Sequence, residues 1–454
     1  MDQRSEDPAP SPSQTPPGQT PPGQTPPGGR LRGITRFGGR AAASIGDQGC
    51  TAAINFLSSM FIGRLLGAEM LGIYAMTDVI VRVLRGLTLS SLLEPLSIYA
   101  PRRSAEELGA YLAFMVVSEV VLVGGVTLLL ALGSFVWAKL SGVEMSVVWA
   151  VIGALFYANL ILLQALLRRQ FYIEGRPVKA LYQSVANLVL VILGFVAFWY
   201  WGGANLVSIY VMLAFAGILV CVVQAWRLSH RLRRPAPRQR RLFRRETWNY
   251  ARWNIASVPI SQISISGVIL LAGAMLPIES AGYLKVGETF IAPFLQIVVG
   301  LNLMMLPMVS KRIDTMSYAQ KRRHIGRQGL ATLVVALPYS GAMLVFGPWL
   351  IQIGFGSELM PAAPLLAIYA IIPICDSLNN PATVFLSAEG RSDLKLMVNV
   401  VRAVLTLSAG VPLIWAFDVT GAAWARAIAA AAGPIMSWAC VFWLWRKQAR
   451  IATS

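Results

Sequence analysis

The sequence predicts an all-α polytopic membrane protein, with twelve transmembrane helices in two six-helix bundles around a central cleft and both termini cytoplasmic. Three observations carry this expectation. Of the 454 residues, 56% are hydrophobic and 13% charged, with a mean hydropathy of +0.60, far outside the range of a soluble domain. After residue 45 the chain divides into twelve apolar stretches, each near or above the roughly 20 residues that span a bilayer as a helix. With the N-terminus placed in the cytoplasm, 31 of the 39 Lys and Arg fall in cytoplasmic segments and two, Arg64 and Lys139, fall outside. That sorting is the positive-inside rule. The net charge of +18 is therefore topological, with membrane lipids as the partners it implies and no nucleic acid.

Residues 1–45 are expected to form a disordered cytoplasmic tail. They repeat Gln-Thr-Pro-Pro-Gly three times from Gln14 to Gly28, a composition that cannot bury a core, and turn basic through Arg30, Arg32, Arg36 and Arg40. No early apolar run marks a cleaved signal peptide. The first bundle, 46–226, has spans near 46–65, 72–100, 109–138, 145–167, 178–201 and 204–226. A basic cytoplasmic linker, 227–247, follows, with nine arginines between Arg227 and Arg245. The second bundle, 248–445, has spans near 248–275, 279–308, 328–353, 361–387, 396–417 and 420–445, and 446–454 is a cytoplasmic tail. The outer connections, such as Gly202 to Asn205 and Asp418 to Gly421, are too short to fold into a domain. Four cysteines in or beside apolar spans and two histidines in basic loops lack the spacing of a metal site or a disulfide framework, and no cofactor is implied.

The two bundles read as copies. Glu69-Met70-Leu71-Gly72 recurs as Glu279-Ser280-Ala281-Gly282 at an offset of 210, each followed within two residues by tyrosine, and the same offset carries Asp78 onto Glu288. Arg102-Arg103 matches Lys311-Arg312 within one residue, and Glu174-Gly175-Arg176 matches Glu389-Gly390-Arg391 at an offset of 215. Matches in one order, at nearly one offset, indicate a six-plus-six duplication. An even number of spans per copy keeps both repeats in the same orientation, and the usual geometry is then a cleft between them.

Charge inside the apolar spans marks the candidate site, because each charge at a helix centre costs about 2.5–3.5 kcal/mol on insertion scales. Asp78, Arg82 and Arg85 lie at i, i+4 and i+7, on one helical face. The second copy keeps the carboxylate as Glu288 but has Ala292 and Leu295 where the arginines would fall. Six cations and six acids lie within the helices, so the sequence count gives no net cationic lumen. Local pairing competes with a transport role: Asp78 with Arg82 at i,i+4, and Lys285 with Glu288 at i,i+3. The carboxylates Asp78, Glu94, Glu288 and Asp376 are candidates for ion coupling, as burial can bring a carboxylate toward neutral titration.

Phe-Ile-Gly-Arg-Leu-Leu-Gly-Ala-Glu-Met-Leu-Gly-Ile-Tyr, from Phe61 to Tyr74, resembles the start of the Wzx-type polysaccharide transporters, lipid-linked oligosaccharide flippases of the multidrug/oligosaccharidyl-lipid/polysaccharide exporter superfamily. Glu-Gly-Arg after the fourth and tenth spans, the twelve-span count and the duplicated halves are similar to that family as well; the Pro-rich tail departs from it. The resemblance implies a non-enzymatic flippase that moves an undecaprenyl-diphosphate-linked oligosaccharide across the bacterial inner membrane by alternating access, with polysaccharide polymerase and export machinery as further partners. An anionic diphosphate head needs fixed positive charge along a wet path, and arginine presents a planar fork matched to phosphate oxygens. Arg82 and Arg85 are the leading substrate-binding candidates, with Arg402 and Arg426 behind them. A small-molecule or drug exporter of the same superfamily accounts for the spans and carboxylates but gives less reason for paired arginines. A membrane polymerase or ligase would need a large outer loop, which this chain lacks.

Overall fold

The computed structural model describes residues 27–142, 144–230, 232–312, 318–389 and 391–453, so the Pro-rich segment before residue 27 lies outside it. Every element among the described residues is helical. This follows from the solvent: in hydrocarbon each backbone N–H and C=O must be satisfied within the protein, and a helix does so within one segment. The elements are α1 (Pro27–Thr88), a π-helical turn (Leu89–Leu93), α2 (Glu94–Tyr99), α3 (Ala105–Ser141), α4 (Met145–Ile173), α5 (Pro177–Trp201) and α6 (Leu206–Ser229). The second half holds α7 (Pro237–Met275), α8 (Glu279–Arg312), α9 (Tyr318–Gly354), α10 (Ala363–Tyr369), α11 (Ile371–Ala388) and α12 (Ser392–Thr453). Residues 27–45, assigned to the tail from sequence, are helical backbone at the start of α1, and the basic run is helical from Pro237 onward. Pro at the first helical position loses no hydrogen bond, and Ala and Arg are strong helix formers.

Among the described residues, nine helical stretches are long and apolar enough to cross a membrane. Two of them, Ala42–Tyr99 and Asp393–Arg446, run to 58 and 54 residues, far more than one crossing needs. Each is broken by non-helical backbone: Gly67 in α1 (φ 82°, ψ −176°), and Phe417 and Asp418 (φ 51°) in α12. The chain reverses at both places. Residues eight apart in a straight helix are separated by about 12 Å, yet a Cβ on Gly421 would lie 1.8 Å from the Leu413 carbonyl oxygen, and one on Gly63 would lie 3.3 Å from the Leu71 side chain. Glu358 stabilises the first reversal by accepting a hydrogen bond from the Ala68 N–H at 2.8 Å, while Arg64 donates to the Ile353 carbonyl at 2.7 Å. The lipid-facing surface is strongly apolar along α3, with Leu128, Leu129, Leu132 and Leu140 exposed, and aromatic where α5 ends at Trp199, Tyr200 and Trp201.

The repeated Gly72 and Gly282 explain how the halves meet. A Cβ on Gly72 would lie 2.1 Å from the Ile278 carbonyl oxygen, and a Cβ on Gly282 would lie 2.4 Å from the Ala68 carbonyl oxygen. Ala68 and Ile278 are themselves related by the offset of 210, so the two contacts exchange when the repeats exchange. Only glycine allows α1 and α8 this close an approach. At the opposite, basic end the clasp is polar. Arg103 donates to Glu246 and lies 4.3 Å from the Tyr111 ring centre and 4.4 Å from that of Phe243, and Tyr250 donates to Glu94 at 3.0 Å.

Candidate functional site

Six residues past each of these glycines, the repeat places a carboxylate, Asp78 on α1 and Glu288 on α8. The close approach of the two helices brings both into one ionic chain. Lys285 donates to Asp78; Arg82 is 3.1 Å from Asp78 and 3.1 Å from Glu288; Arg426, from the second limb of α12, donates to Glu288 at 3.3 Å. The expected i,i+4 pairing of Asp78 with Arg82 is present, but Arg82 also crosses to the other repeat. Lys285 bonds Asp78 across the interface and has no hydrogen bond to Glu288; its ammonium lies 5.0 Å from the ring centre of Tyr74. Thr77 and Tyr210 share a hydrogen bond of 2.5 Å beside this chain, and the Tyr210 ring packs on those of Tyr74 and Tyr157.

Asp376 on α11 and Arg402 on the first limb of α12 adjoin the far end of the chain, Asp376 acting electrostatically on both Arg402 and Arg426. Arg402 is buried and donates to the Ala429 carbonyl at 3.1 Å. Arg85 is different in kind. It is half-buried, acts on Asp78 and Tyr157 only at electrostatic range, and has no ion pair or hydrogen bond among the described residues.

The structure therefore gathers seven of the eight sequence candidates, Asp78, Arg82, Arg85, Glu288, Asp376, Arg402 and Arg426, and adds Lys285. Glu94 is not among them; it belongs to the basic-end clasp with Tyr250. The equal count of acids and bases does not survive this sorting. Asp47, fully buried, is bonded by Arg168, Ser184 and Tyr172, and Glu119 is buried on α3 near Cys221 of α6. With these two and Glu94 removed from the six acids, and Arg252, exposed on α7, removed from the six cations, the centre holds five cations, Arg82, Arg85, Lys285, Arg402 and Arg426, against three carboxylates, Asp78, Glu288 and Asp376. Sequence reasoning missed Arg168 and Glu358. Arg168 sits just past the apolar part of α4 and reads as a loop cation, and a carboxylate beside a short outer connection gives no local sign that it caps a helix far away in sequence. Among the described residues no three His, Cys, Asp or Glu side chains gather as a metal ion would require.

The chain is a multi-pass helical membrane protein with charged residues at the interface of two repeats, and its fold is that of membrane proteins of known structure. The chain superposes on a multidrug resistance MATE family transporter of the MOP superfamily in an inward-facing conformation, with a TM-score of 0.71 at 12% identity over 88% of this chain and 94% of that one. It superposes on the lipid II flippase MurJ in an inward closed conformation with a TM-score of 0.70 at 12% identity, covering 88% of this chain and 87% of that one. A MOP superfamily transporter from Pyrococcus furiosus, described as having a binding pocket of reverse polarity that suggests a different function, gives a TM-score of 0.64 at 13% identity over 92% and 95% of the two chains. No protein-family model matches the sequence, and no curated protein matches it.

Proposed function

We propose that this chain is a lipid-linked oligosaccharide flippase of that superfamily, crossing the bacterial inner membrane twelve times with both termini cytoplasmic. It turns undecaprenyl-diphosphate-linked repeat units to the outer leaflet by alternating access, for exopolysaccharide, capsule or O-antigen synthesis, and hands them to polymerase and export machinery. The observation that carries this is the surplus of two positive charges where the repeats meet, with Arg85 uncommitted. A diphosphate diester carries one negative charge on each phosphate, so the surplus matches its head, and a half-buried intramembrane cation with no partner among the described residues is costly unless an anion visits it. The paired acids Asp78 and Glu288, with Asp376, are the groups available for ion coupling; Glu94 is the remote candidate.

The second reading, a small-molecule or drug exporter, is favoured by the likeness to the MATE transporter. The two separate in one assay. Purified protein in liposomes should translocate an undecaprenyl-diphosphate oligosaccharide, and Arg85→Ala should slow it without lowering membrane abundance. Transport of cationic dyes with no movement of the lipid-linked oligosaccharide would install the exporter reading instead. Unchanged rates for both the Arg82→Ala and the Arg85→Ala variants would remove the site assignment.

A further inference from the structure

A cavity of about 730 Å³ lies between α5 and α6 on the outer surface of the first half, away from the central ionic chain. The neighbouring face of α5 is already occupied, since Ser184 bonds Asp47 and Leu181 packs on Gly46 of α1. Tyr182, Leu219 and Val223 around the cavity are exposed, so it opens toward lipid.

The lining is layered, and both helices show the same order. Along α5 it runs from Lys179 at the basic end to Gln183 and then to Leu190; along α6 it runs from Arg227 to Gln224 and then to Val223 and Leu219. A rise of 1.5 Å per residue puts each glutamine about 4–6 Å below its cation, with the apolar wall running from about 6 Å at Val223 to about 16 Å at Leu190. Among the described residues neither cation has an ion-pair partner, and no carboxylate lines the cavity. Gln183 is 8% exposed, yet neither its amide nitrogen nor its amide oxygen has a hydrogen-bond partner, and the Gln224 side-chain oxygen is also buried without one. A buried amide left unpaired is costly, so this arrangement points to a ligand that supplies a hydrogen-bonding group at that depth.

We infer that this cavity binds one anionic glycerophospholipid: its phosphate between Lys179 and Arg227, an ester carbonyl accepting from the Gln183 amide, and an acyl chain along Leu190, Val223 and Leu219. Cation, amide and apolar layers match phosphate, ester and acyl layers in order and spacing. A polyprenyl monophosphate has no oxygen at the depth of Gln183, and the cargo's diphosphate would place a second charge there where the lining supplies only neutral amides, which makes a membrane phospholipid the occupant. The volume suits one chain and part of a head group rather than a whole diacyl lipid.

Native mass spectrometry of the full chain, with lipid added back after delipidation, tests this. Phosphatidylglycerol should bind more tightly than phosphatidylcholine of the same chains, and Lys179→Ala/Arg227→Ala should remove most of that preference, weakening phosphatidylglycerol by about thirtyfold. Both cations are exposed, so the double variant should elute from size exclusion as the parent does. Gln183→Leu should weaken ester-linked phosphatidylglycerol several-fold and leave its ether-linked analogue unchanged, which loss of fold would not do. An unchanged phosphatidylglycerol preference in the double variant overturns the site, and so would undecaprenyl phosphate binding as tightly as phosphatidylglycerol. Equal weakening of the ester and ether lipids by Gln183→Leu would remove the assignment of the amide layer.

Discussion

Replacing Glu288 by glutamine removes the one carboxylate shared by Arg82 and Arg426. Its side chain is 10% exposed, it meets Arg82 at 3.1 Å and Arg426 at 3.3 Å, and Arg426 is only 3% exposed. Arg82 keeps Asp78 after the change, but Arg426 keeps only the longer-range influence of Asp376. Removing one partner of a buried pair leaves an uncompensated charge and typically costs about 3–5 kcal/mol. The amide oxygen still accepts one bond, which places Glu288→Gln toward the lower end of that range. Adding Arg426→Met removes the stranded cation, and uncharged replacements of buried pairs are near neutral, so the double variant should regain about 1–3 kcal/mol. The readout is the unfolding rate of purified protein in detergent at a fixed temperature, since a polytopic chain does not unfold as a reversible two-state system. A Glu288→Gln variant as durable as the parent, or a double variant less durable than the single, would show that Glu288 does not neutralise Arg426 and would refute the ionic chain.

Other consequences separate structural from functional charge. Arg82→Ala should destabilise the protein by about 1–3 kcal/mol because it takes one of two partners from each of Asp78 and Glu288, which keep Lys285 and Arg426, whereas Arg85→Ala should stay within about 0.5 kcal/mol in the same unfolding assay; equal losses would remove the distinction between them. Gly282→Ala brings a Cβ to 2.4 Å from a backbone oxygen, so α8 must shift by about 1 Å, and overpacking of about 1–3 kcal/mol should outweigh the gain in helix propensity. The repeat-equivalent Gly72→Ala should behave alike, and the two together should cost less than their sum, because one separation of α1 from α8 relieves both. Asp47→Asn should cost about 3–5 kcal/mol through Arg168, and Arg168→Met should restore part of it, measured as thermal durability of the paired variants.

Much of this was legible in the sequence for a physical reason. Apolar runs of bilayer length dictate helices whatever their neighbours are, and a carboxylate in such a run stands out against its cost. The Glu-x-x-Gly repeat was legible because it imposes the same backbone contact twice. Pairing was not legible. The partner of Lys285 is Asp78, 207 positions away, and that of Asp47 is Arg168, 121 positions away. Spacing within one helix gives only i,i+3 and i,i+4 neighbours, so it offered Glu288 to Lys285 and offered Asp47 nothing. The net charge of the centre depended on these long-range pairings, which is why a count along the chain balanced and a count in space did not.

The balance also shows where the repeats have diverged. The acids are symmetric, Asp78 against Glu288, and the bases are not: at an offset of 210, Arg82 and Arg85 map onto Ala292 and Leu295 and Lys285 maps onto Ala75, and at the offset of 215 that holds farther along, Arg426 maps onto Val211. Two equivalent carboxylates facing each other across a pseudo-twofold axis would repel, and a single arginine between them serves both, so a second copy of Arg82 would have no acid to meet. Lys285 and Arg426 then each cap one end of the chain from the second half. Moving the halves apart at this level breaks Lys285 from Asp78 and Arg82 from Glu288 together, and the first of these leaves Asp78 to Arg82 alone. On the proposed function, an incoming diphosphate offsets that cost by taking the place of Glu288 toward Arg82 while meeting Arg85. A diphosphate-bearing lipid should therefore increase labelling of a cysteine placed at Ala292 by a water-soluble thiol reagent, in a background lacking the four native cysteines. Labelling that falls, or stays level, with added lipid would sink the exchange of Glu288 for phosphate.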